Sequence, residues 1–371
     1  MPFRRLGHLC LWALVLAAPF VLQITAKDAF RLPKLLVSEW LGLASLLAFA
    51  LAAAVAKEPA AGRGGAAAPG REWWRHPAVL ATAPVLAVAS LGLLTSPHPE
   101  HTRQALPDLW IAGACLVGWS LAVETDRLGR LLRALTVPAA AMALLAVLQV
   151  HGIYRPFRFV GEEERFRVGI TSFAGNAGDL GAYLVLAALA AQWGLVRSLR
   201  EPRRRPLRVA LWAAALALSA YGLGVSLSLT PAAALVAGSG LFWLAGLPAR
   251  RAALTGVGVA LLAGVLVMAV PPLRERVGTV AGQVGRGEIN AALTGRLDGW
   301  RAALWMVGEH PVTGVGHGAY RAEFGQAKLA LVARGVEFYP AHVEPFFANA
   351  HNDFLEAAAE WGLVGVAALL W

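Results

Sequence analysis

The chain has 371 residues, of which 57% are hydrophobic and 15% charged, and its formal net charge is +10 at pH 7. Soluble domains carry about a quarter charged residues, so this composition excludes an ordinary soluble protein and indicates a polytopic helical membrane protein. The positive charge does not indicate nucleic-acid binding, because the arginines lie in short segments between apolar runs, where the positive-inside rule places them.

The apolar runs predict about ten membrane spans, because each run is long enough to cross a bilayer core about 30 Å thick. The first run follows a basic flank but has no convincing small-residue cleavage site, so we interpret it as a retained span. The predicted spans are 6–25, 34–56, 77–96, 105–123, 134–151, 171–196, 209–228, 231–247, 252–271 and 352–371.

Basic connections between these spans predict the topology. If the N-terminus is cytoplasmic, four basic segments all fall on the cytoplasmic side, as the positive-inside rule requires. These segments are 57–76, 124–133, 197–208 and 248–251. The densest of them, 197–208, is predicted to face anionic lipid.

The polarity pattern divides the chain into three parts. Residues 1–271 form a bundle of about nine spans, 272–350 a large periplasmic loop with a surface helix, and 351–371 a tenth span. The last apolar run reaches Trp371 without a flanking charge, which predicts that the sequence is truncated and that further spans follow. Long ordered loops often carry function, so the chemistry is expected in or beside 272–350.

A helix is predicted over 294–308 within this loop. Thr294 is suited to cap it, and four apolar side chains then recur at helical spacing along one face. These are Leu297, Trp300, Leu304 and Val307. Such a helix would lie on the membrane surface or pack over the mouths of the spans.

Arginines and glycines of the same stretch are candidates for phosphate binding. Arg296 and Arg301 would project from the polar sides of the helix, either to clamp a phosphate or to meet solvent and lipid headgroups. Gly314, Gly316 and Gly318 would form either an anion-binding nest or only a turn.

Histidines in or beside the loop do not predict a metal site. They are His310, His317, His342 and His351, and they show no i, i+4 pair. The two cysteines, Cys10 and Cys115, lie inside apolar runs, so neither a disulfide framework nor a thiolate metal site is expected.

His351 stands at the start of the predicted tenth span, with His351 or Asn352 as the helix cap. The unpaired donors of that helix end would suit the diphosphate of a lipid-linked donor. A neutral imidazole there could take a proton from an incoming hydroxyl; the alternative is that His351 only caps the helix. Glu356 and Glu360 follow on one face and would either pair with arginines from other spans or act in catalysis.

Three stretches resemble the O-antigen ligase and polymerase family of bacterial envelope enzymes. "GRLDGWRAALWMVGEHPVTGVGHGAY" (295–320) is similar to its Gly-Arg…Trp…His-Pro…Gly-Val-Gly segment. "AHNDFLEAAAEWGLVG" (350–365) resembles its His-Asn…Leu…Glu…Gly-Leu-Gly segment, the most specific of the three. "SFAGNAGDLGAYLVL" (172–186) looks like a degraded form of its Gly-Asn-Pro-Asn stretch.

The resemblance implies a metal-independent, cofactor-free glycosyltransferase with a GT-C-like bundle in the bacterial inner membrane. Such enzymes move a glycan from a polyprenyl (undecaprenyl) diphosphate to a hydroxyl of a lipid A core or other glycan acceptor, at the periplasmic face. Carried over by position, His351 is the family's base or acceptor-positioning residue and Arg296 holds the diphosphate. Asn352, Glu356 and Gly316 fall on supporting positions.

The sequence departs from the family pattern at two places. The arginine of a Ser-Arg-Gly motif is replaced by Ala233, and Gly-Asn-Pro-Asn has become Gly-Asn-Ala-Gly at 175–178. Either Arg165 or Arg167 in the preceding outer loop takes the place of the missing arginine, or the enzyme binds its donor differently. Loss of activity is a further alternative.

Other functions compete with the ligase interpretation. A polymerase of the same family shares the chemistry and differs in its acceptor. A transporter or flippase would show inverted repeats and broken helices at the bilayer midplane, whereas the polar groups here cluster at one face. A non-catalytic scaffold would use the long loop for docking.

Overall fold

The computed structural model describes residues 2–23, 29–55, 73–156, 171–201, 205–244, 268, 271–339 and 347–371. All regular secondary structure in this part of the chain is helical, which confirms the predicted all-α class. The helices are α1 Pro2–Leu16, α2 Arg31–Val55, α3 Pro77–Thr95, α4 Pro99–Ala122, α5 Thr125–Ala134, α6 Thr136–Val150, α7 Ala177–Arg200, α8 Pro206–Val225, α9 Leu229–Leu244, α10 Pro271–Gly285, α11 Ile289–Ala292, α12 Arg296–Glu309, α13 Tyr320–Ala333 and α14 Asp353–Leu370.

Seven helical segments among the described residues are long and apolar enough to cross a membrane, so the chain is a multi-pass membrane protein. The eighth predicted span corresponds to a shorter apolar helix, Leu229–Trp243. The ninth, 252–271, falls almost wholly outside the described residues. The seven segments are Pro2–Phe20, Arg31–Val55, Pro77–Thr95, Pro99–Ala122, Thr125–Val150, Ala177–Arg200 and Pro206–Val225.

The first of two compact units comprises Met1–Ala52 and Val123–Gly278. Its core lies between α6, α7 and α8, where alanines of α6 meet leucines of the other two helices. A Cβ added to Gly222 would lie 2.8 Å from Ala143 Cβ, so α8 approaches α6 as closely as glycine permits. Such small-residue contacts are typical of helix packing in membranes, where close van der Waals contact drives association.

An ion pair at one end of this unit agrees with the predicted topology. Arg4 Nη2 lies 2.9 Å from Glu124 Oε1, which joins the N-terminal helix to the start of the basic segment 124–133. Both side chains are more than a third exposed, so the pair adds little to stability. The ion pair does show that two segments predicted to be cytoplasmic lie on the same side of the unit.

The second unit comprises Ala53–Ala122 and Thr279–Trp371. It contains α3 and α4 together with α11 to α14, so most of the predicted loop folds into helices. Its largest hydrophobic cluster joins alanines and Met306 of α12 to Tyr320 and Phe324 of α13, with Phe347, Ala350 and Ala359. A second cluster packs Ala357 and Trp361 of α14 against Ala89 of α3 and Leu106 of α4.

The helix predicted over 294–308 is present as α12, but its start was predicted wrongly. Its N-cap is Gly295, at φ 82°, and no side chain caps the helix. Thr294 has φ 56°, and its hydroxyl donates to the carbonyl of Leu293. A threonine in this left-handed conformation turns its Oγ1 away from the helix donors, so it cannot cap them.

The packed face of α12 is not the apolar stripe. The buried residues are Asp298, Gly299, Ala302, Ala303 and Met306, whereas Leu304 of the stripe is 58% exposed. Small residues on the inner face let the helix lie close to its neighbours. The exposed side chain of Leu304 accords with a helix at the membrane surface, and that placement stays a prediction.

The predicted tenth span is present as α14, but it is not one of the seven candidate spans. It carries three carboxylates, those of Asp353, Glu356 and Glu360, and it breaks at Gly362, where φ is 65° and ψ −167°. Its crossing of the membrane therefore stays a prediction.

Candidate active site

The turn 314–318 docks onto α14. Its three glycines all have positive φ values of 67°, 100° and 74°. Val315 N–H donates to the carbonyl of Ala359 over 2.9 Å, and Gly316 N–H donates to that of Glu360 over 2.8 Å. Gly314 N–H donates to His310. The anion-nest interpretation is therefore wrong for Gly314 and Gly316, because protein carbonyls already accept from their N–H groups.

The break in α14 creates the acceptors for this turn. At Gly362 the chain leaves helical geometry before the helix resumes, and Leu363 N–H donates to the carbonyl of Pro311 over 2.9 Å. The carbonyl of Ala359 would otherwise accept from Leu363 within the helix. It accepts from Val315 instead, so the break and the turn are two halves of one junction.

A histidine and a carboxylate lock the junction from the side. His317 Nδ1 lies 3.1 Å from Glu360 Oε2, and Tyr320 N–H donates to Glu360 Oε1 over 3.2 Å. Trp361 Nε1 also lies 3.3 Å from His317 Nδ1. One nitrogen cannot accept from tryptophan while donating to the carboxylate. We assign the proton to His317 Nδ1, because the buried Glu360 then receives two donors.

This lock corrects one expectation for the acidic residues. Glu360 is 6% exposed, and its partners are His317 and the main chain of Tyr320 rather than an arginine from another span. A buried carboxylate is tolerated only with such donors. Glu360 therefore has a structural role in the part of the chain that the structure describes.

A second histidine–carboxylate pair holds the same turn and was missed by the sequence analysis. His98 Nε2 lies 2.7 Å from Glu323 Oε2, and Glu323 is 4% exposed. Ser96, two residues earlier, accepts from His98 N–H and donates to the carbonyl of Val315. The pair joins residues 225 positions apart, so no local pattern could have indicated it.

Tyr320 connects the lock to α12. It is 1% exposed, and its hydroxyl donates to the carbonyl of Gly299 over 2.7 Å. Burial raises the pKa of Tyr320 above its usual value, and the nearby carboxylates of Glu356 and Glu360 raise it further. The phenol therefore stays protonated and serves as a permanent donor.

Asn352 is the cap of α14, as one of the two predicted alternatives required. Its side-chain oxygen accepts from the N–H groups of Phe354 and Leu355 over 3.1 and 3.2 Å. Asp353 adds negative charge to the first turn. The cap therefore occupies two of the donors that were expected to meet a diphosphate, and the carboxylate of Asp353 disfavours an anion at this helix end.

His351 lies at an exposed edge of the unit in a strained conformation. Its φ is 53°, in the left-handed region that non-glycine residues rarely adopt. Its ring packs edge-on against Phe347, with 5.7 Å between the ring centroids. The preceding N–H, that of Ala350, donates to Glu356 Oε2 over 2.9 Å. Strain of this kind clusters at functional positions, which keeps His351 a candidate.

Arg296 and His351 are carried by segments that meet at Phe347. A Cβ built on Gly295, the residue before Arg296, would lie 3.5 Å from Phe347 Cζ, and His351 packs against the same ring. Arg296 is half-buried at the first position of α12. The structure thus brings together the two elements that carry the proposed base and the proposed phosphate ligand.

Arg301 has a different environment from Arg296. It lies 3.6 Å from Oδ1 of Asp298 and donates to the carbonyl of Glu337 over 3.3 Å. Asp298 is 1% exposed and also accepts from Asn290 Nδ2 and Tyr339 N–H over 2.8 and 2.7 Å. These contacts tie Arg301 to the fold of the loop, which weighs against a diphosphate role.

The remaining predicted positions lie in the first unit or outside the described residues. Arg165 and Arg167 fall within 157–170, which the structure does not describe. Ala233 is exposed near the start of α9. Asn176 of the altered Gly-Asn motif caps α7 by accepting from Asp179 N–H over 2.7 Å.

No set of three or more His, Cys, Asp or Glu side chains converges as metal ligands within the described ranges. Of the four histidines predicted in or beside the loop, His317 pairs with Glu360 and His351 packs on Phe347, whereas His342 lies outside the described residues. Metal-independent chemistry stays a prediction.

The comparisons with known proteins bear on the part of the chain that holds this site. Residues 213–370 match the family model described as O-antigen ligase. Two of the three resembling stretches, 295–320 and 350–365, lie inside the matched range, and 172–186 lies outside it. Comparison with curated proteins and with solved structures gave no match. The family match confirms the resemblance to the O-antigen ligase and polymerase family over residues 213–370.

Proposed function

We propose that the chain transfers a glycan from an undecaprenyl diphosphate donor to an acceptor hydroxyl at the periplasmic face of the bacterial inner membrane. The family match indicates a glycosyltransferase-like enzyme with glycan and lipid-linked substrates. The observation that carries the finer proposal is the meeting of the His351 and Arg296 segments around Phe347.

The proposed step forms one bond and breaks another. The acceptor oxygen attacks the anomeric carbon, and the bond from that carbon to the diphosphate oxygen breaks, with the electron pair leaving on the diphosphate. His351 takes the proton of the acceptor hydroxyl as general base. Arg296 supports the developing charge on the diphosphate through the paired donors of its guanidinium.

The environment of His351 supports its role as the base. It is exposed, so an acceptor can reach it, whereas His98 and His317 pair with the buried carboxylates of Glu323 and Glu360. The neighbouring helix end is capped by Asn352 and carries acidic residues in its first turn, so we assign anion binding to Arg296 instead of that helix end. Arg165 or Arg167 is proposed to supply the second phosphate contact in place of the family arginine at Ala233.

Deletion of the gene tests the reaction and names the acceptor. The measurement is the host's lipid-linked glycan pool, resolved by chain length. Long chains stranded on undecaprenyl diphosphate are expected, and they identify a ligase that uses a lipid A core or other anchor. Accumulation of single repeat units would identify a polymerase instead. An unchanged pool would overturn both and favour a transporter, flippase or scaffold.

Complementation of the deletion strain tests the proposed base. His351→Ala should lower transfer by about 10²- to 10⁴-fold, the usual contribution of general-base catalysis. The protein should reach the membrane in normal amount, because the side chain is exposed. Full activity of this variant would remove His351 from the mechanism.

A further inference from the structure

The main chain just before His351 is held by a side chain from the following helix. Ala350 is fully buried, and its N–H donates to Glu356 Oε2 over 2.9 Å. Asn352 already caps the helix through the N–H groups of Phe354 and Leu355. Glu356 therefore reaches back past the cap and fixes a peptide that lies outside the helix.

Ala350 is also confined on its other side by α12. A Cβ built on Gly299 would lie 3.5 Å from the carbonyl oxygen of Ala350 and 3.6 Å from its Cα. The hydroxyl of Tyr320 donates to the carbonyl of that same Gly299. Helix α12 and Glu356 thus hold Ala350 from two directions, and the chain leaves it through the left-handed conformation of His351 at φ 53°.

A left-handed histidine persists only where the surroundings over-determine it. Relaxation of φ at His351 into the ordinary region would swing the imidazole to another direction, because rotation about the N–Cα bond carries the side chain with it. Rotation about the N–Cα bond of His351 must turn the preceding chain relative to α14. The bond from Ala350 N–H, which belongs to the Asn349–Ala350 peptide, to Glu356 opposes that movement.

We propose that Glu356 is a positioning residue, which acts through Ala350 to hold the backbone of His351 in its left-handed conformation and so aims the imidazole at the acceptor. The proposal rests on the proposed function, in which His351 is the base. A carboxylate in the first turn also favours the helix through its dipole. That effect needs no bond to Ala350 and would not depend on the side chain at position 351, so the two roles predict different results.

Three single variants separate positioning from helix stabilisation. Transfer is measured in membrane vesicles of the deletion host, which contain its own lipid-linked glycans and acceptors, and is expressed per folded protein in detergent extracts. Glu356→Ala should lower the rate roughly 10²-fold, as displacement of a catalytic group does. Glu356→Gln keeps an oxygen acceptor for Ala350 N–H and should stay close to the unchanged protein. The matched control is Asp353→Ala, which removes another first-turn carboxylate and should also stay close.

A double variant tests whether Glu356 acts through His351. In the His351→Ala background, Glu356→Ala should cause no further loss, because there is no imidazole left to aim. Losses that multiply would overturn the proposal, since Glu356 would then act independently of His351. Full activity of Glu356→Ala alongside inactive His351→Ala would overturn it while leaving the proposed function intact. Full activity of His351→Ala would overturn both.

Discussion

Replacement of Gly362 by alanine tests whether the break in α14 holds the junction with the turn 314–318. Gly362 has φ 65° and ψ −167°, a region that is essentially restricted to glycine. An added Cβ would collide with the carbonyl of Val312 and lie 2.7 Å from Thr313 N. Both obstacles are backbone atoms, so the clash cannot be relieved by turning a side chain.

The expected loss of stability has two parts. Backbone strain in this region contributes about 1–3 kcal/mol. Movement away from Val312 would also loosen two hydrogen bonds, Leu363 N–H to Pro311 and Gly316 N–H to Glu360, each about 1 kcal/mol. Together these terms predict that Gly362→Ala lowers the free energy of unfolding by about 3–5 kcal/mol.

The assay is unfolding of the purified protein in detergent micelles, followed by tryptophan fluorescence. Gly325→Ala is the matched control, because Gly325 lies inside α13 and a Cβ there meets nothing within 4 Å. That control should stabilise by up to about 1 kcal/mol, since alanine favours a helix over glycine. If Gly362→Ala proved as stable as the control, the junction would not depend on the break.

Three further variants probe the neighbouring contacts. Arg296→Lys should weaken transfer, because an ammonium cannot reproduce the paired donors of a guanidinium; unchanged donor affinity in vesicles would contradict the phosphate role. Tyr320→Phe removes the donor to Gly299 and should lower the free energy of unfolding by about 1 kcal/mol. A loss several times larger would show that the Tyr320 hydroxyl contributes more to stability than this one hydrogen bond. Asp298→Ala leaves Tyr339 N–H and a second donor without their acceptor and should destabilise by roughly 2–4 kcal/mol in the same unfolding assay. A neutral result would mean that water replaces the carboxylate.

The spans were predictable because bilayer thickness sets one simple requirement for length and polarity. The prediction 77–96 corresponds to Pro77–Thr95, and 134–151 overlaps Thr125–Val150 up to its last residue. Hydropathy contains no information about backbone dihedrals, however. The break at Gly362 is a change of backbone dihedrals at one residue, and the sequence pattern did not predict it.

The inward face of α12 shows a different limit of sequence patterns. Helical periodicity identifies an apolar stripe, and in a soluble protein such a stripe usually packs inward. Beside a membrane the apolar stripe has lipid as an alternative partner, and small residues mark the protein contact instead. Ala302 and Ala303 are buried here while Leu304 is exposed. The pair of His98 and Glu323 could not be predicted from the sequence for another reason, because only the tertiary fold brings α13 next to the start of α4.

Two strained residues flank Phe347 and argue that this edge is built for more than packing. Thr294 and His351 have φ values of 56° and 53°. Thr294 precedes Gly295, on which a Cβ would lie 3.5 Å from Phe347 Cζ, and His351 packs directly against the Phe347 ring. A non-glycine residue in this conformation costs about 1–3 kcal/mol. Asp298 and Glu356 accept hydrogen bonds from Tyr339 N–H and Ala350 N–H, which hold the chain beside this edge. A site that must present an arginine and a histidine to one substrate gains from this rigidity, because chemistry at an anomeric carbon depends on fixed geometry.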